Sequence, residues 1–297
     1  MNDKNTFERT FTMLINAYYN GLFTSRENIK ISLNDRAVFF GDGIYDAAIG
    51  RHGKIFMLDE HIERFFANAR LLDLRVEFTK SELTEILLSL AENATDECFF
   101  VYFQLSRSSD ERAHSYPDNA GSNLLVTIND IPFPDVKKRV RLTLADDIRY
   151  EMCHVKTLNL LPAVLASRKA TALGKDETIF HRNGTVTECA HSNVHIITDS
   201  VLLTHPKDKY ILPGISRGHM LKVCKRLGIP VIEREFSVYE LFKADEVLIT
   251  SSSKLALLAS SVDSVSFPYK ENGIGRKICD EMLKNFVSFT ENDTSDC

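Results

Sequence analysis

Lys156, in the stretch EMCHVKTLNLLP, follows a strand-like run and precedes a helix, with Val155, Leu158 and Leu160 around it. A lysine in apolar surroundings loses some preference for its charged form, and the free amine is what attacks a carbonyl to make a Schiff base. The commoner fate of such a lysine is a packed stem with its ammonium in water. Glu188 closes a strand in TVTECAHSN, where it is either buried beside a cation or exposed at a strand end. In ILPGISRGHM, Gly214, Ile215 and Ser216 fall at a helix start. Free backbone N–H groups and the helix dipole there suit a phosphate, although most helix starts hold only water. The SSSK loop, with Ser251 and Ser252, offers hydroxyls that suit a phosphate or an ordinary turn. Arg112 and His114, in RAHSYP, have the types to clamp a carboxylate, or to sit in an exposed loop of mixed charge. Cys153, His154, Cys189, His191 and His195 match no common zinc spacing, and neighbours on a strand point to opposite faces, so no metal site is expected.

These residues need a frame. The segment Ile131–Asp135, IPFPD, has two prolines in four residues and marks a connector between residues 1–130 and 136–297. Before it, MLINAYY and AVFFGDGIYDAAI have strand character. A helix follows that Asp59 can cap, with Ile62, Phe65, Phe66, Ala69 and Leu72 on one face. Thr79 and Glu82 form a capping box for a second helix, and CFFVYFQLS and LLVTI are strands. After the connector, VRLTLADDIRY is strand-like, and 159–173 is helical with Gly174 placed to end it. Asn183-Gly184 between β-rich runs predicts a hairpin, and VHIIT and VLLT pair around Asp199-Ser200. Helices over SRGHMLKVCKRLG, SVYELFKAD and RKICDEMLKNFVSF, with the strand EVLIT, complete a larger, mainly antiparallel α+β domain.

With 297 residues, two domains are the natural expectation. A net charge of −5 argues against nucleic acid or an anionic membrane as the main partner. Six scattered cysteines without a CxxC pair suit free thiols in a reducing compartment, and no run has signal-peptide or bilayer length. A cytoplasmic protein is expected.

Taken in order, DRAVFFGDGIYDA, LDEHIERF, YFQLSR, ERAHSYP, DIRY, VKTLNLLPAVLA, HRNGTVTE, SNVHII, LTHP, ILPGISR and ITSSS resemble the fold-type IV aminotransferases that use pyridoxal 5'-phosphate (PLP). The similarity runs from about Ala17 to the C-terminal helix. It implies a two-domain α+β fold and a homodimer with each site near the partner chain. It also implies that Lys156 carries the cofactor as a Schiff base and moves the substrate proton. Glu188 then faces the pyridine nitrogen. Arg64 holds the phosphate with Ile215, Ser216 and a hydroxyl of Ser251 or Ser252, and Arg149 reaches the ring's phenolic oxygen.

Within the family, Arg112 and His114 with Tyr45 resemble the carboxylate trap of D-amino-acid aminotransferases. That points to D-alanine or D-glutamate as donors and 2-oxo acids as acceptors. A branched-chain L-amino-acid aminotransferase and an aminodeoxychorismate lyase are the rivals on the same fold, and a non-catalytic relic has no chemical need for both Lys156 and Glu188. Three positions depart from the family's habit. Asp46 stands where glutamate is usual, His191 lies in a run usually made of small residues, and Lys254 follows the SSS loop where an acidic residue is common.

Overall fold

The computed structural model describes residues 15–95 and 97–291. The N-terminal part is one six-stranded antiparallel sheet with three helices. Its strands are β1 (Ala17–Tyr19), β2 (Leu22–Thr24), β3 (Gly43–Arg51), β4 (Lys54–Ile55), β5 (Cys98–Arg107) and β6 (Ser122–Ile131), in the order β2-β1-β6-β5-β3-β4. Helices α1 (Arg36–Phe40), α2 (Leu58–Leu71) and α3 (Lys80–Ala91) accompany it. Ile62, Phe65 and Ala69 of α2 and Leu83, Leu87 and Leu90 of α3 are buried against Val101, Phe103 and Val126 of the sheet. That is the apolar stripe the spacing predicts.

The rest of the chain builds a nine-stranded mixed sheet. Its strands are β7 (Val140–Asp146), β8 (Glu177–Arg182), β9 (Thr185–Cys189), β10 (Asn193–Thr198), β11 (Val201–Thr204), β12 (Val231–Glu233), β13 (Glu246–Ser251), β14 (Leu255–Val262) and β15 (Val265–Ser266). Helices α4 (Leu161–Ala172), α5 (Ile215–Arg226), α6 (Val238–Lys243) and α7 (Ile274–Glu291) complete it. Hairpin pairs such as β8/β9 and β10/β11 are antiparallel, while β7 lies parallel to both β8 and β14. The helix α4 serves as the crossover that a parallel β7/β8 pair requires.

Local signals explain most elements. Thr79 and Glu82 make the expected capping box on α3, and Ser237 and Glu240 make another on α6. Asn183 and Gly184 both have positive φ, at 49° and 84°, as a two-residue hairpin of this type needs. Two expectations change. The AVFF run is helical rather than extended, because Asp35 accepts from the Ala37 N–H at 2.8 Å and Gly41 ends the turn at φ 60°. Asp59 does not cap α2: Met57 occupies that place in a left-handed conformation, and Asp59 sits inside the first turn, where it favours the helix dipole.

His219 on α5 links burial to pH. Its Nε2 accepts from Asn285 Nδ2 at 2.9 Å, while its Nδ1 is buried without a partner. Burial, with Arg226 and Lys222 nearby, pulls the imidazole down to about 4. A depressed histidine contributes stability above its unfolded value near 6.5 and loses it as pH falls through about 4. The size is on the order of 3 kcal/mol. His219→Gln keeps an acceptor for Asn285, so we expect a flatter stability profile over that window in denaturant melts. An unchanged profile would contradict the assignment.

Candidate active site

A cleft lies between the two sheets, lined by Tyr45, Arg64, Arg149, Lys156, Glu188, Ile215, Ser216, Ser251 and Ser252 among others. Nine residues expected to act together therefore share one cavity. Arg112 and His114 are not among its lining residues.

Lys156 is carried on the loop between β7 and α4, where the second part of the chain meets the first. Its carbonyl accepts from the Tyr45 N–H at 2.9 Å, and Thr157 bridges to Ile44. Strand β3 of the first sheet thus fixes the lysine's backbone. The Lys156 Nζ lies 4.3 Å from the centre of the Tyr45 ring, and that ring stacks on Tyr102 at 5.4 Å. Tyr150 bonds Thr157 Oγ1 at 2.6 Å on the other side.

Glu188 faces the same space from the end of β9 and is buried. Three donors meet it. Arg149 Nη1 approaches Oε1 at 2.5 Å, and Asn193 Nδ2 and the Leu212 N–H donate to Oε2 at 3.0 and 2.9 Å. Burial pushes the carboxyl up to about 7, opposed by Arg149 and the Leu212 N–H. Arg149 itself is anchored by Asp147, to which Nε and Nη2 each donate at 2.9 Å, and its Nη2 also meets the Tyr210 carbonyl. Four of its five N–H groups are thereby engaged, and in this structure it positions Glu188.

The opposite end is built for an anion. Helix α5 opens at Gly214 with no side-chain cap, so its first N–H groups have no helical acceptor. A Cβ at Gly214 would lie 2.1 Å from Asn193 Oδ1, so only glycine lets the chain pass so close to the residue that holds Glu188. Ser251 Oγ is buried and unpartnered beside this helix start. Arg64 reaches over from α2, with Nη1 on the Pro213 carbonyl at 3.3 Å.

Asp46 has a role that spacing alone did not expose. It is fully buried on β3 and grips Arg64 twice, Nε to Oδ2 at 2.8 Å and Nη2 to Oδ1 at 2.7 Å. His61 Nδ1 adds a third contact to Oδ1 at 2.7 Å. Arg64 and His61 hold the Asp46 carboxyl well below the usual range despite its burial. The signal available in the sequence was the His-x-x-Arg spacing on α2, which puts both on one face. Removing the carboxylate leaves a buried cation unpaired, so Asp46→Ala should cost about 3–5 kcal/mol in denaturant melts. The same change should weaken retention of a phosphate-bearing cofactor on dialysis. Unaltered stability and retention would contradict this role.

Arg112 and His114 sit in the exposed loop between β5 and β6. Arg112 lies over the rings of Phe39 and Phe40, at 5.8 and 5.4 Å, and His114 packs on Phe40 at 5.5 Å. Arg36 pins the loop through the Ala113 and His114 carbonyls, at 2.7 and 3.2 Å. The loop thus stands on α1, and within one chain only Tyr45 of the three trap residues lines the cavity.

The sequence profile of the class IV amino-transferase family matches residues 43–262. The chain belongs to the class IV aminotransferases. It is 38% identical over 239 residues to a D-alanine aminotransferase of Staphylococcus aureus, covering 80% of this chain and 85% of that one. A D-alanine aminotransferase of Listeria monocytogenes is 36% identical over 252 residues, covering 83% and 87%. Among solved structures, the branched-chain aminotransferase of Thermoproteus uzoniensis with norvaline superposes with TM-score 0.84 at 22% identity, over 94% of this chain and 96% of that one. The T.th. branched-chain amino acid aminotransferase with pyridoxamine 5'-phosphate gives 0.85 at 21%, over 92% and 94%. At these identities the structural likeness carries the two-domain α+β fold. This aminotransferase is PLP-dependent, as its family is, and its cavity fits that cofactor: an amine, a buried carboxylate, and an anion cup with an unpartnered hydroxyl. No helix among the described residues is long and apolar enough to cross a membrane.

Proposed function

We propose that this aminotransferase moves the amino group of a D-amino acid, of the D-alanine or D-glutamate kind, to a 2-oxo acid. The observation that carries the reading is the single cavity that presents Lys156 and Glu188 beside an anion cup. The D-donor is supported by relatives at 35–38% identity that are D-alanine aminotransferases.

Bound PLP supplies an electron sink for the charge left when the substrate's α-carbon gives up its proton. Lys156 would hold the cofactor covalently through Nζ, and the same amine is the base placed to take that α-proton. The Tyr45 ring limits where Nζ can swing. Glu188, its carboxylate kept in place by Arg149, Asn193 and Leu212, would meet the pyridine nitrogen. Arg64, the N–H groups of Ile215 and Ser216, and the Ser251 and Ser252 hydroxyls bind the phosphate.

The working unit is a homodimer. Helix α4 leaves Leu161, Val164 and Leu165 exposed on one face, and α1 exposes Val38 and Phe39. The Asn159 side chain joins the two patches by donating to the Gly41 carbonyl at 3.0 Å, and Asn159 and Leu160 line the cavity. An apolar surface of this kind at the cavity mouth suits a second copy. It lets Arg112 and His114 of one chain complete, with Tyr45 of the other, a clamp for the substrate carboxylate. The connector 131–135 joins the two domains that form the jaws, and the free thiols suit a cytoplasmic setting.

Initial rates with D-alanine should exceed those with L-leucine by at least about tenfold at equal concentration. A preference for L-leucine would replace this reading with the branched-chain one. Mixing inactive Lys156→Ala and Arg112→Ala chains should regain activity, because one site per mixed dimer is complete. Without any gain, the shared clamp is wrong.

A further inference from the structure

A second group of charges meets the cavity at His191 and Ser192, apart from the lysine and the anion cup. Glu177, at the start of β8, is buried, and its carboxylate gathers three donors and a nearby cation. The His191 N–H and His191 Nδ1 each lie 3.0 Å from Oε1. The Ser192 hydroxyl donates to Oε2 at 3.0 Å, and Lys254 Nζ stands 3.6 Å from the same oxygen. His191 and Ser192 line the cavity, and Lys254 lies two residues beyond the Ser251–Ser252 wall. His191 and Lys254 therefore meet on one carboxylate.

We infer that His191 and Lys254, aligned by Glu177, form a recognition site for a second carboxylate on the substrate, favouring dicarboxylic amino and oxo acids of about glutamate's length. The inference rests on the cavity being the aminotransferase site described above. Its geometry is directional. The Nδ1–H of His191 is committed to Glu177, so Nε2 is the nitrogen left for a ligand, and the side chain is 49% exposed. A carboxylate that accepts from one ring nitrogen fixes which nitrogen serves the other side.

The charge balance explains the selectivity. Without a ligand, Glu177 and Lys254 offset each other. Burial pulls His191 below its ordinary range, helped by Lys254 and Lys156 and opposed by Glu177, and leaves it neutral near pH 7. An incoming carboxylate supplies the negative charge that stabilises a protonated ring between two carboxylates. Binding then draws one proton from solution. A substrate with a methyl side chain brings no such charge and draws none.

Two achiral acids test this without turnover. The PLP-loaded protein is titrated calorimetrically with glutarate and with butyrate at slightly alkaline pH, in buffers of different ionisation heat. We expect glutarate to bind about tenfold tighter than butyrate with uptake of a proton. His191→Ser and Lys254→Glu should each reduce both the preference and the uptake. In turnover, each should lower the ratio of kcat/KM for D-glutamate over D-alanine about tenfold, mainly through KM. Equal binding of glutarate and butyrate by the unaltered protein overturns the inference. So does an equal loss for both ligands in the variants, which would put the pair on the α-carboxylate. Because neither acid is chiral, a failure of the D-donor reading leaves the titration interpretable by itself.

Discussion

Lys156→Ala should lower transamination by at least about a thousandfold, even with excess PLP present. A positioned general base alone contributes about 10²–10⁴. Here the same Nζ also holds the cofactor, so the covalent tether is lost with it. Among the cavity's lining residues Lys156 is the one lysine, with Nζ against the Tyr45 ring and its backbone bonded to β3. The fold should survive, because the side chain is only partly buried and makes none of the core contacts. Steady-state rates beside a thermal melt check this: a stable variant retaining a tenth or more of the activity would remove Lys156 from its role.

Glu188→Gln is the second large effect, a fall in kcat of about 10²–10³, typical for loss of one preorganised charge facing a reacting system. The amide keeps the shape and can still accept from the Leu212 N–H, but it cannot carry charge to the ring nitrogen. Arg149 keeps Asp147 as a partner, so it is not left alone in a buried place. The change should therefore act on turnover far more than on stability. Rates, melting temperature and cofactor content measured on one preparation separate these effects. A variant as fast as the parent contradicts the role of Glu188, and one that has merely unfolded leaves Glu188→Asp, which keeps the charge, to regain part of the rate.

The periodic elements and the cavity set were legible along the chain for identifiable reasons. The capping box at Thr79 and the turn at Asn183-Gly184 are local chemistry, and local chemistry is visible in consecutive residues. Ordered blocks resembling one family placed Arg64, Lys156, Glu188 and the α5 start in a common cavity. What escaped depends on contacts between distant segments. Asp46 was visible as an unusual residue, but its grip on Arg64 needs β3 and α2 side by side. Glu177 gave no signal at all, because His191, Ser192 and Lys254 meet it only when β8, the turn after β9 and the loop after β13 converge. Arg112 and His114, expected with Tyr45 in a carboxylate trap, lie outside the cavity lining of their own chain, where Arg36 fastens their loop to α1. The strand expected at AVFF yielded to a cap and a glycine that fit a short helix better.

The most direct test of Lys156 and the D-donor together is the visible absorbance of the purified, PLP-loaded protein on addition of D-alanine without any oxo acid. The band of lysine-bound cofactor should be bleached in proportion to the sites, return on adding pyruvate, and be absent from Lys156→Ala. A band indifferent to D-alanine but bleached by L-leucine, or a protein that PLP cannot colour, would contradict the proposed reaction.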